Sequence, residues 1–177
     1  MGRQMTTRTA LSPTRRSAYA VVLVAMGVAL APYTSIPVGI AKINPTQHLI
    51  NLMAAVLLGP AWAVGIAGVV AVLRNAMGVG TLLAFPGGMI GALLAGICYR
   101  YWPRLTAAAV GEVVGTGLIA PVVCALLVAP VLMERAIPLL ALVPSFLGSS
   151  LAGAVLGVLA LRLLQSADVI ELAGPRP

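Results

Sequence analysis

Charge is what this sequence has least of. Only 8% of its 177 residues are Asp, Glu, Lys or Arg, about a third of the share usual in soluble domains, so water is not its main solvent. The acidic residues number four, and two of them, Asp168 and Glu171, fall in the carboxy-terminal stretch. No carboxylate pair for acid-base work is left in the apolar part. His48 is the one histidine, which excludes the paired-histidine metal motifs. Lys42 is the one lysine and stands in Ala41-Lys42-Ile43, so no Gly-rich turn ends in the Gly-Lys-Ser/Thr that cradles nucleotide phosphates. The two cysteines, Cys98 and Cys124, stand apart in apolar sequence and read as packing residues rather than a redox pair or metal site. Neither a metal nor a cofactor is expected, and the reading is not that of an enzyme.

What is present is apolar sequence, laid end to end from Tyr19 to Leu164, with 60% hydrophobic residues and a mean hydropathy of +1.06. A chain that crosses lipid must pair every backbone N–H and C=O internally, as a helix bundle or a closed barrel. The runs here are continuous rather than alternating and rich in Ala, Leu and Gly, which favours helices. Nineteen glycines fit that setting, because small residues let helices approach closely where lipid removes the hydrophobic drive. The expected fold is an all-α integral membrane protein, a bundle of about six transmembrane helices. Pro, Gly and charged clusters place the spans near 17–32, 46–59, 61–77, 86–100, 106–130 and 138–164. Several are shorter than the roughly 20 residues a bilayer core needs, a pattern of proteins that hold a ligand within the membrane. Residues 1–16 and 165–177 are then cytoplasmic tails flanking one membrane domain, 17–164.

The net charge of +7 would suggest nucleic acid in a soluble protein, but its distribution reads as membrane topology. With both termini cytoplasmic, Arg3, Arg8, Arg15, Arg16, Arg100, Arg104, Arg162 and Arg176 face inward, against Lys42, Arg74 and Arg135 outside or within the membrane. Eight against three is the positive-inside bias. The basic start followed by an apolar run resembles a signal peptide, but more membrane sequence follows it, so the first helix is expected to stay uncleaved. The connection at 33–45 faces outward and has the length of a lid or binding loop.

Polar residues inside the spans are informative, because an unpaired polar group in hydrocarbon costs several kcal/mol. Gln47, His48 and Asn51 share a helix face by their offsets of three and four and are candidate ligand contacts, or else an outer-rim hydrogen-bonding patch. Arg74 and Asn75 end the third span, and Glu112 and Thr116 share a face of the fifth. An Arg74–Glu112 ion pair is one expectation, structural in character; a ligand contact by Glu112 is the other. Ser145 and Ser149 share a face of the last span, where serines most often bond back to backbone carbonyls. Trp62, Tyr99, Tyr101 and Trp102 read as interface anchors, whereas Tyr33 and Phe85, beside the outer loops, are where a flat ring would stack.

Several ordered stretches carry a family resemblance: Ser35 to Lys42 (SIPVGIAK), Pro45 to Asn51 (PTQHLIN), Leu73-Arg74-Asn75, Gly80 to Gly96 (GTLLAFPGGMIGALLAG) and Gly111 to Gly117 (GEVVGTG). Together they resemble the ThiW family of S components of energy-coupling factor (ECF) transporters. The resemblance implies an S component that captures hydroxyethylthiazole, the thiazole precursor of thiamine, for uptake driven by a transmembrane T subunit and two ATPases. It would supply the energy source that the missing phosphate loop leaves open. It also implies that small residues on the first helix dock the T subunit, and Ala25 and Ala29 have the four-residue spacing. A neutral thiazole needs a few hydrogen-bonding groups and an apolar wall, which Gln47, His48, Asn51, Asn75, Glu112 and Thr116 can supply. Competing readings are an S component for another small heterocycle, an intramembrane enzyme using His48 or Glu112, and a ligand-free assembly protein.

Overall fold

The computed structural model describes residues 12–38 and 41–172. Arg3, Arg8 and Arg176, part of the charge count above, and much of both expected tails lie outside the described residues. Among the described residues the architecture is all-α and holds seven helices, six long ones and a single turn: α1 Pro13–Ala29, α2 Ala31–Thr34, α3 Pro45–Leu58, α4 Pro60–Ala76, α5 Ala84–Tyr101, α6 Leu105–Leu132 and α7 Leu139–Ser166. The extra helix, α2, is a single turn in the 33–45 connection. That connection also holds an antiparallel hairpin, β1 Ile36–Val38 and β2 Ala41–Ile43, in the register Ile36 to Ile43, Pro37 to Lys42 and Val38 to Ala41. Its β-branched residues favour extended chain, so the expected polar loop is folded back on itself. By length and apolarity α6 and α7 are each able to cross a membrane, while α3 and α4 are shorter apolar helices.

Local chemistry sets the helix ends. Ser12 accepts from Arg15 N at 3.4 Å, and Asn44 Oδ1 accepts from Gln47 N at 2.9 Å. Pro13 and Pro45 follow these caps, where a missing N–H costs nothing. Helix α4 closes on Gly78 at φ +73°, with the N–H groups of Val79 and Gly80 returning to Arg74 O at 3.1 and 2.9 Å; the positive φ is a conformation glycine adopts freely. Helix α6 contains Pro121 and Pro130, each preceded by or embedded after a π-helical stretch, Gly115–Ile119 and Cys124–Val128. A proline has no N–H to give the preceding turn, and the wider turn relieves the clash of its ring.

The helices stack two apolar clusters with a polar layer between them. Ala63, Ala95, Tyr99, Ala108 and Leu161 belong to one cluster, and Leu83, Ala120, Cys124, Leu142 and Phe146 to the other. Along α5 the residues between these clusters are Gly87, Gly88 and Gly91; along α6 they are Glu112 and Thr116; along α7 they are Ser149, Ser150 and Gly153. Tyr99 is therefore buried in a cluster, not an interface anchor as expected, while Tyr101 and Trp102 are exposed. Close approach at the polar layer depends on glycine. A Cβ on Gly115 would stand 2.8 Å from Gly91 Cα, and one on Gly91 would stand 2.8 Å from Glu112 Oε1, so α5 and α6 meet backbone to backbone with room for one carboxylate.

Candidate functional site

The polar layer gathers side chains from four helices and the hairpin around one small cavity. Three of the helix ends are consecutive in space because the chain reverses: α3 begins there, α4 ends there and α5 begins there. Gln47 and His48 reach the cavity from the first turn of α3, Arg74 from the last turn of α4, and Thr116 from the widened turn of α6. Gly87 and Gly88 form its smooth floor, Phe146 and Leu83 its apolar wall, and Lys42, Asn44 and Ser149 its rim. The free volume is about 30 Å³, enough to hold ordered water.

Glu112 anchors the layer. It is fully buried, and its Oε1 lies 2.8 Å from His48 Nδ1 and accepts from Asn51 Nδ2 at 3.1 Å. Thr116 Oγ1 lies 3.2 Å from the same oxygen and 2.8 Å from Gly87 O, and its single proton can serve only one of them at a time. Asn51 Nδ2 also donates to Gly88 O at 3.0 Å. With Glu112 as acceptor, Nδ1 of His48 carries the proton, which leaves Nε2 for whatever enters the cavity. Two oxygens in this layer, Glu112 Oε2 and Asn51 Oδ1, are buried without a hydrogen-bond partner; such atoms are costly, about 1 to 3 kcal/mol each.

A second network holds the hairpin over the site. Arg74, 2% exposed, donates from Nη1 to Gln47 Oε1 and from Nη2 to Ser35 Oγ at 3.4 Å. Ser35 Oγ also accepts from Asn44 Nδ2 at 2.7 Å, and Asn44 N donates to Ser149 Oγ at 2.8 Å. Gln47 Nε2 donates to Ala84 O at 3.3 Å, and Lys42 Nζ to Val79 O at 3.2 Å. The hairpin is thus tied to α3, α4, α7 and the α4–α5 connection by a handful of polar bonds.

The sequence-predicted residues divide under this geometry. Gln47, His48 and Thr116 line the cavity, while Asn51 and Glu112 stand behind them and fix His48. Asn75 faces elsewhere: its Nδ2 donates to Ala71 O at 2.8 Å and Thr81 O at 3.2 Å, bracing the end of α4, and Arg74 takes the cavity position instead. The Arg74–Glu112 pair is not formed. The partner of Glu112 is His48, whose Nδ1 lies 2.8 Å from Oε1, because α3 lies between α4 and α6 and its first turns intercept the carboxylate. Ser149 accepts from Asn44 N rather than bonding back to its own helix, as Ser150 does to Leu147 O at 3.1 Å. The ring at the wall is Phe146, not Tyr33, which is 87% exposed, or Phe85. Sequence reasoning passed over Phe146, and also the floor carbonyls of Gly87 and Gly88, whose only signal was the Pro-Gly-Gly opening α5.

Outside the site, Ala25 and Ala29 are exposed on α1. Ala25 borders an apolar groove between α1 and α4, with Trp62 and Val69 on the far bank.

Comparison with known proteins returns a family model described as thiamine-precursor transporter protein (ThiW), which matches residues 17–167. The fold is similar to a solved structure described as that of the S component of a bacterial ECF transporter. The TM-score is 0.73 at 16% identity, over 88% of this chain and 98% of that one; at that identity the likeness is one of fold. No curated protein matches the sequence.

Proposed function

Because the chain belongs to the ThiW family of thiamine-precursor transporter proteins, we propose that it is the substrate-binding S component of an ECF-type importer and captures hydroxyethylthiazole in the cavity beneath the hairpin. The family is one of transporters, not enzymes, and membership makes the chain a multi-pass membrane protein. The observation that carries the reading is the buried polar layer, in which an imidazole, two amides and a guanidinium line one cavity, with a carboxylate behind the imidazole, in an otherwise apolar bundle. Such groups are expensive in a membrane interior and mark ligand pathways by default. His48 Nε2 accepts a hydrogen bond from a ligand hydroxyl, the Gly87–Gly88 floor admits a flat ring, and Phe146 gives it an apolar face. Asn51 and Glu112 act through His48 by fixing its ring, and Asn75 acts by bracing α4.

Entry passes the hairpin, whose Lys42 stands at the rim of the cavity. The hairpin is the element that yields: it is held by a few polar bonds and by the packing of β2 against α7, outside both apolar clusters, so it serves as the lid over a site open to the outside. Energy comes from elsewhere, as the sequence has no phosphate loop; a T subunit and two ATPases are the partners, with Ala25 and Ala29 on the exposed face of α1 as the docking contact. Placement in the cell membrane, with residues 17–164 as the membrane domain and the flanking tails cytoplasmic, completes the reading.

The test is titration of hydroxyethylthiazole into the purified chain, read by calorimetry and thermal stabilisation. His48→Ala and Asn51→Ala each weaken binding by roughly 5- to 150-fold, the worth of a lost hydrogen bond and a stranded partner. Well-folded variants that both bind with unchanged affinity place the site elsewhere. A panel of other small heterocycles, run in parallel, decides whether thiazole is the preferred ring.

A further inference from the structure

Resting on the cavity assigned above as the ligand site, we propose that it has a further subsite for a negative charge, so that a small heterocycle bearing a carboxylate or phosphate group binds more tightly than the neutral alcohol, with Arg74 as the residue that receives the charge. The argument begins with a charge left over. Arg74 is 2% exposed and lines the cavity, yet both of its observed partners, Gln47 Oε1 and Ser35 Oγ, are neutral, and its Nε is buried with no partner. The sequence has four acidic residues in all. Three of them, Glu134, Asp168 and Glu171, are exposed, and the fourth, Glu112, is engaged by His48. Among the described residues, no side-chain carboxylate therefore neutralises Arg74.

The remaining charge at the cavity has the same sign. Lys42 stands at the rim with its ammonium on Val79 O, a neutral acceptor. Arg74 and Lys42 against Glu112 leave the site net positive, and a protonated His48 would add to that. A guanidinium is costly to bury without a counter-charge, and its planar fork suits the paired oxygens of a carboxylate or phosphate. A neutral alcohol would leave that cost standing; an anionic substituent on the ring removes it when the ligand binds. The division of labour follows: His48 and Phe146 hold the ring, and Arg74 holds the anion under the hairpin that its Nη2 already touches through Ser35.

The experiment uses the full chain in neutral detergent, free of anionic lipid. It compares three probes by calorimetry: hydroxyethylthiazole, its phosphate ester and the matching thiazole carboxylate. At least one anionic probe should bind ten- to a hundredfold tighter than the alcohol, and the comparison of the two names which anion the site takes. Arg74→Lys should keep part of that preference, and Arg74→Gln should abolish it, read as the ratio of anion to alcohol affinity within each variant. Wild-type protein that binds the alcohol as tightly as both anions overturns the proposal while leaving the site reading intact, since His48→Ala would still cost affinity for the alcohol. Failure of all three probes, or His48→Ala without effect on any of them, overturns the site reading and this proposal with it. Because the probe comparison is made on the unaltered protein, a misfolded Arg74 variant does not decide the matter. Addition of anionic phospholipid is the remaining arm: loss of the soluble anion's advantage on titrating lipid in identifies a headgroup as the occupant and overturns the soluble ligand.

Discussion

At the scale of single residues, burial explains why Glu112 chooses His48. A carboxylate in hydrocarbon takes the nearest donors, and His48, Asn51 and Thr116 all reach Oε1 within 3.2 Å, whereas Arg74 is occupied one helix away. The geometry sets an expected pattern of coupling. In a double-mutant cycle of thermal or denaturant stability, His48→Ala and Glu112→Gln should be non-additive by about 0.5 to 3 kcal/mol, as groups in one network are. Arg74→Gln and Glu112→Gln should add to within about half a kcal/mol. The reverse pattern would restore the Arg74–Glu112 pair that helix spacing alone suggests.

At the scale of elements, the 33–45 connection carries the largest difference from expectation, since it folds into a turn and a hairpin with few apolar anchors. Its attachment runs through Ser35 Oγ, which accepts from both Asn44 and Arg74, and through Lys42 on Val79 O. Segments held in this way open at low cost relative to the core. Ser35→Ala combined with Lys42→Ala should speed ligand dissociation, measured by stopped-flow displacement, by about 2- to 12-fold per bond lost. The fold should survive, because no cluster residue is touched. Dissociation rates equal to wild type would mean that ligands leave by a route other than the hairpin.

At the scale of the whole molecule, topology and partner contact are open to direct measurement. On a background lacking Cys98 and Cys124, a cysteine at Tyr33 should react with an impermeant reagent in intact cells, and one at Arg104, on the short exposed α5–α6 connection, should be protected. The opposite labelling pattern would invert the bundle and put the hairpin inside. Ala25→Trp or Ala29→Trp should impair uptake in cells with the energising subunits while leaving ligand affinity nearly intact, since both residues sit on the exposed face of α1 and bulk there blocks close helix contact. Equal loss of uptake and binding would make α1 part of the pocket.

Composition and hydropathy by themselves determined that this is an apolar helical chain and where its helices fall, because those properties are local: a run of apolar residues, a proline after Asn44, a glycine after Met77. The offsets of Gln47, His48 and Asn51 likewise marked a shared buried polar face, since one helix face needs no knowledge of its neighbours. Tertiary structure alone decided who pairs with whom. That α3 intercepts Glu112, that Arg74 rather than Asn75 turns to the cavity, and that Phe146, about 60 residues from Phe85, forms the wall all depend on which helices are adjacent and on their rotation. The close contacts at Gly91 and Gly115 set both, and a one-dimensional pattern does not specify them.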